Sequence, residues 1–393
     1  MRITFVGTFG MAPKSTMRVR ALPLAQALSA RGHELRIVMP PWQLENRAAR
    51  WMEGDVACEY VPISRFPLFG YLLTSWRLLR SALRGKPDVI HFFKPKALAG
   101  LAAWMAWHYQ RLGGRVRLVV DEDDWEGYGG WNDAGAYPRL AKALFAWQER
   151  WGLIHNDALT VASRALETIA LSHGVPPTRI RYLPNGAAER PAEGNLRAKL
   201  GLGDAPVVLL YTRFTEFDPE RLVLLWQAIR TEIPQARLLI VGTALTSALR
   251  ERIDQTLAHF PAEEVLRLGW VPLEQVGLCL AIADVAIFPT DDTLINRCKC
   301  SVKLTDLLGA GVAVVADAVG QNREYILDGE TGLLVPPGDA LAMAQRVSAL
   351  LLNPQRAREL GAAARSRMRH HFTWERLAQV ALSAYELATP TSP

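Results

Sequence analysis

MRITFVGTFG, residues 1–10, begins the stretch of sequence that decides the fold. It contains an apolar run at 3–6, which ends at Gly7. After a polar loop comes RVRALPLAQALSARGH, residues 18–33, whose apolar residues recur at helical spacing. LRIVMP, residues 35–40, is a second apolar run. Strand, glycine-containing turn, helix and strand in this order predict a βαβ unit with parallel strands.

The same alternation continues along the whole chain. Further strands are predicted at 88–93, 116–120 and 158–161, and then at 206–211, 237–241, 285–288 and 312–315. Strands that alternate with helices predict parallel sheets covered on both faces. We therefore predict an α/β fold with two doubly wound, Rossmann-like domains that face a central cleft.

A turn signal, Pro184-Asn-Gly186, and the linker-like residues after it mark a domain boundary near residue 186. We predict an N-terminal domain over 1–186 and a C-terminal domain over 187–372. A C-terminal helix and polar tail, 373–393, is a candidate to pack back across the cleft. Ligands of doubly wound sheets bind at the carboxyl ends of strands, so the cleft is the expected site.

The composition is that of a globular protein of 393 residues with a formal net charge of +6. Its four cysteines are too few and too scattered for a disulfide framework, and Cys298 and Cys300 lack the second pair of a closed zinc site. No apolar run approaches the ~18 residues of a membrane span, and the N-terminus lacks a signal-peptide pattern, so we expect a cytoplasmic protein. The mild basic excess favours phosphorylated substrates or anionic lipid. We expect no nucleic-acid partner, because zinc-finger spacing and RNP-type motifs are missing.

Several motifs in the C-terminal half point to one family. They are LPNG (183–186), ADVAIFP (283–289), SVKLTDLLGAGVAVVA (301–316), GQNREYI (320–326) and DGETGLLVPPG (328–338). Their order and spacing resemble those of the group 1 retaining glycosyltransferases of GT-B fold. The N-terminal half is similar more loosely, through Gly7, Gly10, the helix that ends in Arg31-Gly-His and the strand at 88–93.

The resemblance implies a nucleotide diphosphate sugar as co-substrate, bound on the C-terminal domain, with no further cofactor and no metal. Arg213 and Lys303 are the cations expected at the diphosphate, where they would also stabilise it as it departs, together with the first amides of the helix that begins near Ser301. Asp306 occupies the position of a carboxylate that accepts hydrogen bonds from ribose hydroxyls. The other donor-binding residues expected are Gly7, Gly10, Asn296, Lys299, Leu304, Thr305 and Glu324.

The set of basic residues expected at the diphosphate departs from the family pattern at one position. The family has a second basic residue shortly after the position of Arg213, and this chain lacks it. Lys299, Lys303 and Arg221 are the candidates to replace it.

The sugar-binding loop departs from the pattern as well. Cys298 stands where the family has a glutamate that contacts the donor sugar, although a cysteine here can also be a small buried apolar residue. Either Asn296, Asp291 or Asp292 takes over this contact, or the sugar is held differently, or the activity is degraded.

An acidic segment, DEDDWEG at 121–127, follows the predicted strand at 116–120. Five acids among six residues at a strand end need a reason, because like charges repel. We expect Asp123 and Asp124 to be catalytic residues that bind hydroxyl groups of the sugar or the acceptor. Clustered carboxylates also suit Mg²⁺, an alternative that the resemblance disfavours.

The N-terminal domain is expected to bind the acceptor, a glycan or a lipid-linked sugar. Basic side chains near its strand ends can meet an anionic group, and a tryptophan beside the acids can stack on a sugar. His91 lies within a predicted strand and is expected to be a hydrogen-bonded core histidine. The acceptor-side candidates are Lys14, Arg18, Arg20, Lys94 and Trp125.

The segment from Phe66 to Lys86 predicts an amphipathic helix. Leu72, Trp76, Leu79 and Leu83 form one stripe, and residues 64–86 contain five basic residues and no acid. Such a helix can lie on an anionic membrane, which would place the protein on the inner face of the membrane, or it can be an ordinary helix that faces the core.

These observations predict an enzyme that transfers a sugar from a nucleotide diphosphate sugar to an acceptor hydroxyl with retention of configuration. It would act in the synthesis of a polysaccharide, glycolipid or other glycoconjugate. Two alternatives stay open. One is a nucleotide-sugar epimerase of GT-B-like fold, which would form product without an acceptor, and the other is a non-catalytic relative that binds sugar nucleotides.

Overall fold

The structure, a computed structural model, describes residues 1–11, 16–41, 48–64, 66 and 69–387. The predicted acceptor residue Lys14 lies outside these described residues. The chain divides into two compact units, and each is an α/β unit built on a mostly parallel sheet. The predicted fold class is therefore confirmed.

Unit 1 comprises Met1–Asn185, Cys298–Cys300 and the C-terminal segment from Trp374. Its sheet has eight strands in the order β3-β4-β2-β1-β5-β6-β7-β8, and only β3, which pairs with β4, is antiparallel. The strands are β1 (Arg2–Gly7), β2 (Glu34–Met39), β3 (Ala49–Glu53), β4 (Val56–Tyr60), β5 (Val89–Phe93), β6 (Arg117–Glu122), β7 (Ala158–Val161) and β8 (Ile180–Tyr182).

The central strands of unit 1 are continuous apolar runs because helices cover them on both faces. Every residue of β5 is buried, and so is every residue of β7. The helices are α1 (Leu22–Ser29), α2 (Phe69–Ala82), α3 (Ala97–Arg111), α4 (Trp131–Ala134), α5 (Arg139–Ile154), α6 (Arg164–Ser172) and the C-terminal α16 (Trp374–Leu387).

Helix α16 returns from the end of the chain to complete the core of unit 1, where it packs against α1. The Tyr385 hydroxyl lies 2.9 Å from Nδ1 of His91, and Thr160 Oγ1 lies 3.2 Å from the other ring nitrogen. Burial lowers the pKa of His91 to about 4, so the ring is neutral at physiological pH. His91 is thus a hydrogen-bonded core histidine, as predicted.

Unit 2 comprises Gly186–Arg297 and Ser301–Thr373. Its sheet has six parallel strands in the order β11-β10-β9-β12-β13-β14. They are β9 (Val207–Tyr211), β10 (Arg237–Val241), β11 (Val265–Gly269), β12 (Val285–Phe288), β13 (Ala313–Asp317) and β14 (Leu333–Val335).

Helices accompany this second sheet, and the apolar faces of α8, α9, α14 and α15 form one core cluster with its strands. Trp226 on α8 is the largest side chain that is fully buried there. The helices are α7 (Leu196–Lys199), α8 (Arg221–Glu232), α9 (Ser247–Leu257), α10 (Leu273–Ala281), α11 (Leu294–Cys298), α12 (Val302–Ala310), α13 (Asn322–Tyr325), α14 (Ala340–Leu352) and α15 (Pro354–His371).

Several strands lie outside the predicted set, and most are at the edges of the sheets. They carry a weaker sequence signal because their residues are partly exposed or because they are very short. β3 has no buried residue, and β11 has one. The strands that the sequence did not predict are β3, β4, β8, β11 and β14.

Close packing of α15 against the end of α12 depends on a glycine. A Cβ atom at Gly361 would clash with the carbonyl oxygen of Gly311, whose φ is +81°. Gly361→Ala is expected to lower the stability of unit 2 by about 1–3 kcal/mol, because the backbone carbonyl cannot move aside. The free energy of unfolding of the full chain in urea measures this change.

Ala362 is exposed on the same helix, so Ala362→Ser is the matched control and should leave the unfolding midpoint unchanged. Equal stability of Gly361→Ala and wild type would show that α15 can shift away from α12.

Candidate functional site

The carboxyl ends of β1, β5 and β6 are neighbours in unit 1, so the loops that follow them meet at one edge of the sheet. The Thr8 hydroxyl donates a hydrogen bond to the carbonyl oxygen of Lys94, which ties the first loop to the second. Lys94 and Ala97 have φ values of +55° and +52°. Such left-handed conformations are strained for residues other than glycine and are concentrated at functional sites.

Lys94 lies at the centre of a cluster of carboxylates. Its Nζ atom lies 3.0 Å from Asp124 Oδ2, 3.5 Å from Asp123 Oδ1 and 3.4 Å from Glu126 Oε1. Burial alone would lower the pKa of Lys94, but these carboxylates raise it well above its usual value. Burial also raises the pKa of Asp123 to about 6. Lys96 also pairs with Glu126, so the cluster places hydrogen-bond acceptors and two ammonium groups side by side, which suits the binding of hydroxyl groups.

Two further carboxylates, Glu122 and Glu149, lie behind this cluster and were not among the predicted site residues. Both are fully buried, and the backbone N–H of Glu126 donates to Glu149 Oε1 over 3.0 Å. Burial and the neighbouring Glu126 raise the pKa of Glu149 to about 8. Burial and Glu149 raise the pKa of Glu122 well above its usual value. The pair therefore holds at least one proton at neutral pH.

Arg20 corrects an expectation, because its side chain cannot reach an acceptor. It is 1% exposed and forms a bidentate ion pair with Asp121, with distances of 2.7 Å from Nε and 2.6 Å from Nη2. It also donates to the carbonyl oxygen of Leu183 and to Asn185 Oδ1. The sequence indicated a basic residue near a loop, but the partners that bury it are far away in the chain.

The glycines of the first loop have packing roles. A side chain at Gly7 would clash with Met17, and a Cβ at Gly10 would press on the Tyr60 ring and the backbone of Pro40. The lack of a side chain at these two glycines lets Met17, Tyr60 and Pro40 pack closely against the backbone of the loop.

The acceptor-side candidates of unit 1 have different environments. Arg18 is exposed on the π-helical turn Met17–Ala21. Trp125 is 7% exposed, and its Nε1 donates to the carbonyl oxygen of Tyr128 over 2.8 Å, so its ring braces the loop. Tyr128 itself is 69% exposed and is the aromatic ring that the loop offers to solvent. Lys299, a donor-side candidate, lies over the ring of Trp131 within unit 1.

In unit 2 the candidate donor residues gather at the start of α12. Ser301 is the N-cap residue of this helix, and its hydroxyl is buried without a hydrogen-bond partner among the described residues. The Lys303 ammonium group lies 2.8 Å from Glu216 Oε1 and is held at the first turn of the helix. Leu304 and Thr305 are buried, and the Thr305 hydroxyl donates to the carbonyl oxygen of Val302. They can therefore meet a ligand through their backbone only.

The loop after β9 is built around Thr212 and Glu216. The backbone N–H of Phe214 donates to the Thr212 hydroxyl, which in turn donates to Glu216 Oε2. Phe214 has a φ of +58°, another left-handed residue at a strand end. Arg213 lies in this loop and is half-buried. Its guanidinium group lies 5.7 Å from the centre of the Trp270 ring.

Asp306 is buried on α12 and has a partner that sequence reasoning missed. Arg190 Nε lies 3.0 Å from Asp306 Oδ1, and Arg190 Nη2 lies 3.3 Å from Oδ2. Burial raises the pKa of Asp306 to about 6 even though Arg190 favours the ionised form. Arg190 precedes Asp306 by more than a hundred residues, and it lies in a loop without a motif, so no local signal indicates the pair.

The residues proposed to replace the missing family groups have structural partners. Cys298 is fully buried, which is the small apolar role considered for it. Asn296 donates from Nδ2 to the carbonyl oxygens of Glu216 and Asp291, and Asp292 pairs with Arg297.

Arg221 and Glu324 complete the predicted set in unit 2. Arg221 is held by Asp291 and Asp317, both at 3.0 Å, which leaves it unsuited to replace the missing cation. Glu324 is half-buried on α13, and the carbonyl oxygen of this residue accepts a hydrogen bond from Arg367. Within the described residues, no group of three or more histidine, cysteine, aspartate and glutamate side chains is arranged to hold a metal ion.

Comparison with known proteins agrees with this division into two units. A family model described as Glycosyl transferase 4-like domain matches residues 15–186. A second model, Glycosyl transferases group 1, matches residues 205–353. Together they account for most of the chain, which belongs to the group 1 glycosyltransferase family.

One curated relative is the GDP-mannose-dependent alpha-(1-6)-phosphatidylinositol monomannoside mannosyltransferase of Mycolicibacterium smegmatis. It is 29% identical over 232 residues, which are 56% of this chain and 60% of the relative. The matched part of this chain thus spans less than two thirds of that relative.

Among solved structures, sucrose-phosphate synthase from Thermosynechococcus elongatus has a TM-score of 0.72 at 22% identity and covers 98% of both chains. Anabaena HepE in complex with UDP-glucose has a TM-score of 0.68 at 16% identity, over 97% of this chain and 98% of that one. These similarities show that the fold is GT-B.

The ion pair between Arg190 and Asp306 generates a pH-dependent prediction. Arg190→Ala leaves a buried carboxylate without a counter-charge, which costs about 3 kcal/mol when Asp306 is ionised. The pKa of Asp306 is higher in the folded protein than in the unfolded chain, so the folded protein loses stability as the pH rises through about 6. The loss of melting temperature in Arg190→Ala should therefore be larger near pH 8 than near pH 5.

Asp306→Asn in the Arg190→Ala background should abolish the extra loss near pH 8, because the buried carboxyl group that would ionise without a counter-charge is gone. If the deficit of Arg190→Ala is the same at both pH values, Asp306 does not depend on Arg190 for its ionised form.

Glu149 leads to a second prediction about pH. Its folded pKa of about 8 lies above the unfolded value of 4.5, so unit 1 loses stability as pH rises between them. Glu149→Gln keeps an oxygen for the N–H of Glu126 and removes the titration. The melting temperature of this variant relative to wild type should increase steadily from about pH 5 to about pH 9.

Glu34 is exposed on the same unit, and Glu34→Gln serves as the control for the same substitution at a surface carboxylate. A constant difference for Glu149→Gln would mean that Glu149 titrates as an ordinary exposed carboxylate.

Proposed function

We propose that the protein transfers a sugar from a nucleoside diphosphate sugar to an acceptor hydroxyl with retention of configuration. The start of α12 carries this proposal. A diphosphate would receive hydrogen bonds from the first amides of the helix and from the buried Ser301 hydroxyl, which has no partner within the described residues. Lys303, fixed by Glu216, adds a positive charge at the same helix end.

Two further residues of unit 2 support a nucleoside diphosphate. Arg213 stands two residues after the end of β9, at the carboxyl edge where doubly wound sheets bind ligands, and it is half-buried rather than fully solvated. Each oxygen of Asp306 keeps a second lone pair beyond its bond to Arg190. The carboxylate therefore keeps the capacity to accept hydrogen bonds from the two hydroxyls of a ribose, but because Asp306 is 1% exposed, the groups that now cover it would have to move aside for the ribose.

The reaction breaks the bond between the anomeric carbon and the diphosphate oxygen and forms a bond from that carbon to the acceptor oxygen. The acceptor proton passes to the departing diphosphate, whose charge Arg213, Lys303 and the helix amides stabilise. Asp123 and Asp124 of unit 1 accept hydrogen bonds from sugar or acceptor hydroxyls and are held in place by Lys94. This division of work needs no resident metal, so EDTA should leave turnover unchanged.

The acceptor that we propose is a glycan or a lipid-linked sugar. The Mycolicibacterium smegmatis relative is named for a GDP-mannose donor and a phosphatidylinositol mannoside acceptor. Helix α2 supports an acceptor at a membrane, because it exposes Phe69, Leu72 and Trp76 and carries Arg77 and Arg80. Within the described residues no helix is both long and apolar enough to cross a bilayer, so this contact would be peripheral.

Cys298 favours a second candidate, a relative that binds nucleotide sugars without turning them over. It is fully buried and cannot replace the carboxylate that contacts the sugar in the family. This candidate shares the donor site of unit 2 and differs only in the chemistry that follows.

A thermal-shift panel of UDP-, GDP-, ADP- and dTDP-sugars tests the donor site directly, because a ligand of the folded state raises the melting temperature. Lys303→Ala and Arg213→Ala should each weaken binding by about thirtyfold, the effect of losing a charged hydrogen bond of about 2 kcal/mol. Arg346, exposed on α14, provides the control Arg346→Ala, which should bind as wild type does.

Turnover with the nucleotide sugar that binds separates the two candidates. Loss of transfer in Asp123→Asn or Asp124→Asn, with donor binding unchanged, supports the transferase. Binding without transfer to any acceptor supports the non-catalytic candidate, product formed without an acceptor supports an epimerase, and a panel without any shift rejects the donor site.

A further inference from the structure

Three consecutive long helices of unit 1 have an unusual distribution of residues. Helix α2 packs against α3, and α3 packs against α5. In α2 the buried face combines small residues, such as Gly70 and Thr74, with the apolar Leu78, whereas Phe69 is 76% exposed and Trp76 is 47% exposed. Large apolar side chains thus also lie on the outward side of α2, whereas an ordinary amphipathic helix turns them towards the core.

Helix α3 repeats this arrangement. Its buried residues are all alanine or glycine. Trp104 and Trp107 lie on the same helix and are only half-buried. Arg111 places its guanidinium group 4.9 Å from the centre of the Trp107 ring, as Arg80 does at 5.3 Å from Trp76 on α2. Each pair puts a cation against an aromatic ring at the surface.

Helix α5 extends the same surface, because Trp107 of α3 lies 5.9 Å from Trp151 of α5 between ring centres. On α5, Leu140 is 86% exposed and Trp147 is 44% exposed. We call the outward side of α2, α3 and α5 the three-helix face. Its helices carry five of the twelve tryptophans of the chain, of which Trp76 and Trp147 are exposed and Trp104, Trp107 and Trp151 are half-buried.

The charge of the three-helix face is one-sided. The three helices contain six arginine and lysine residues and a single carboxylate, Glu149, which is fully buried. The face therefore presents cations and aromatic rings to solvent without a carboxylate from these helices. The basic residues are Arg77, Arg80, Arg111, Arg139, Lys142 and Arg150.

We infer that the whole three-helix face, and not α2 alone, lies on an anionic lipid bilayer. Tryptophan and arginine together are typical of the membrane interface, where the rings sit among headgroups and the cations meet anionic lipid. A second copy of this face would bring like charges together. A soluble polyanion would leave Phe69 and Leu140, 76% and 86% exposed, in water.

This inference deepens the membrane contact proposed for α2 but does not depend on the transferase activity, because it is tested by binding alone. The full chain is floated with vesicles of pure phosphatidylcholine and with vesicles that also contain phosphatidylglycerol, at low and at high salt. We expect binding to the anionic vesicles, weakened by salt, and little binding to the neutral ones.

Charge reversal on two different helices then defines the extent of the surface. Arg80→Glu on α2 and Arg150→Glu on α5 each exchange one attraction for one repulsion. Each should weaken vesicle binding by about thirtyfold, equivalent to about 2 kcal/mol. Both arginines are exposed, and the exposed Arg346 of α14 supplies the matched control Arg346→Glu, which should bind as wild type does.

A combined variant, Leu140→Ser with Trp147→Ser, tests the apolar part of the face and should reduce the binding that remains at high salt. Melting temperatures equal to wild type would show that these surface variants are folded. If Arg80→Glu loses binding while Arg150→Glu and the α5 serine variant do not, the three-helix face is rejected and the contact of α2 remains. A chain that stays with the aqueous fraction at low salt, or binds neutral vesicles equally, overturns the inference.

Discussion

The buried ion pair between Arg20 and Asp121 fixes the carboxyl edge of unit 1. Both side chains are inaccessible to solvent, and a buried charge without its partner costs several kcal/mol, so neither can leave the other. Arg20 also donates to the carbonyl oxygen of Leu183 and to Asn185. The pair thus joins the π-helical turn Met17–Ala21, the end of β6 and the segment that follows β8. The acidic loop that carries Asp123 begins two residues later, from a position that cannot shift.

The sequence predicts the fold well where burial on both faces leaves only apolar residues. β5 is an example, since all of its residues are buried between helices. β3 shows the limit: it pairs antiparallel at the edge of the sheet, none of its residues is buried, and its sequence lacks an apolar run. The family was visible for another reason, because its motifs recur in a fixed order across unit 2.

The candidate site could be predicted only where its residues lie at strand ends or within motifs. Asp123, Lys94 and Lys303 were predicted as candidates in this way, but several of the groups that contact them come from distant segments. Glu149 lies on a helix whose sequence pattern indicates only that one face is buried. Arg190 lies in the loop after the LPNG turn, and this loop carries no motif of its own. Such partners are chosen by the tertiary structure, so that neither composition nor spacing reveals them.

The return of α16 to unit 1 bears on the order in which the chain acquires its structure during synthesis. The core of unit 1 includes Leu377, Ala381 and Tyr385, whereas unit 2 is complete once residue 373 has been made. The first half of the chain therefore cannot complete its core until the whole of unit 2 has emerged from the ribosome. Until then the apolar surface of α1 that α16 covers stays exposed. The N-terminal unit is in this sense the last to be finished, which reverses the usual sequence of domain folding on the ribosome.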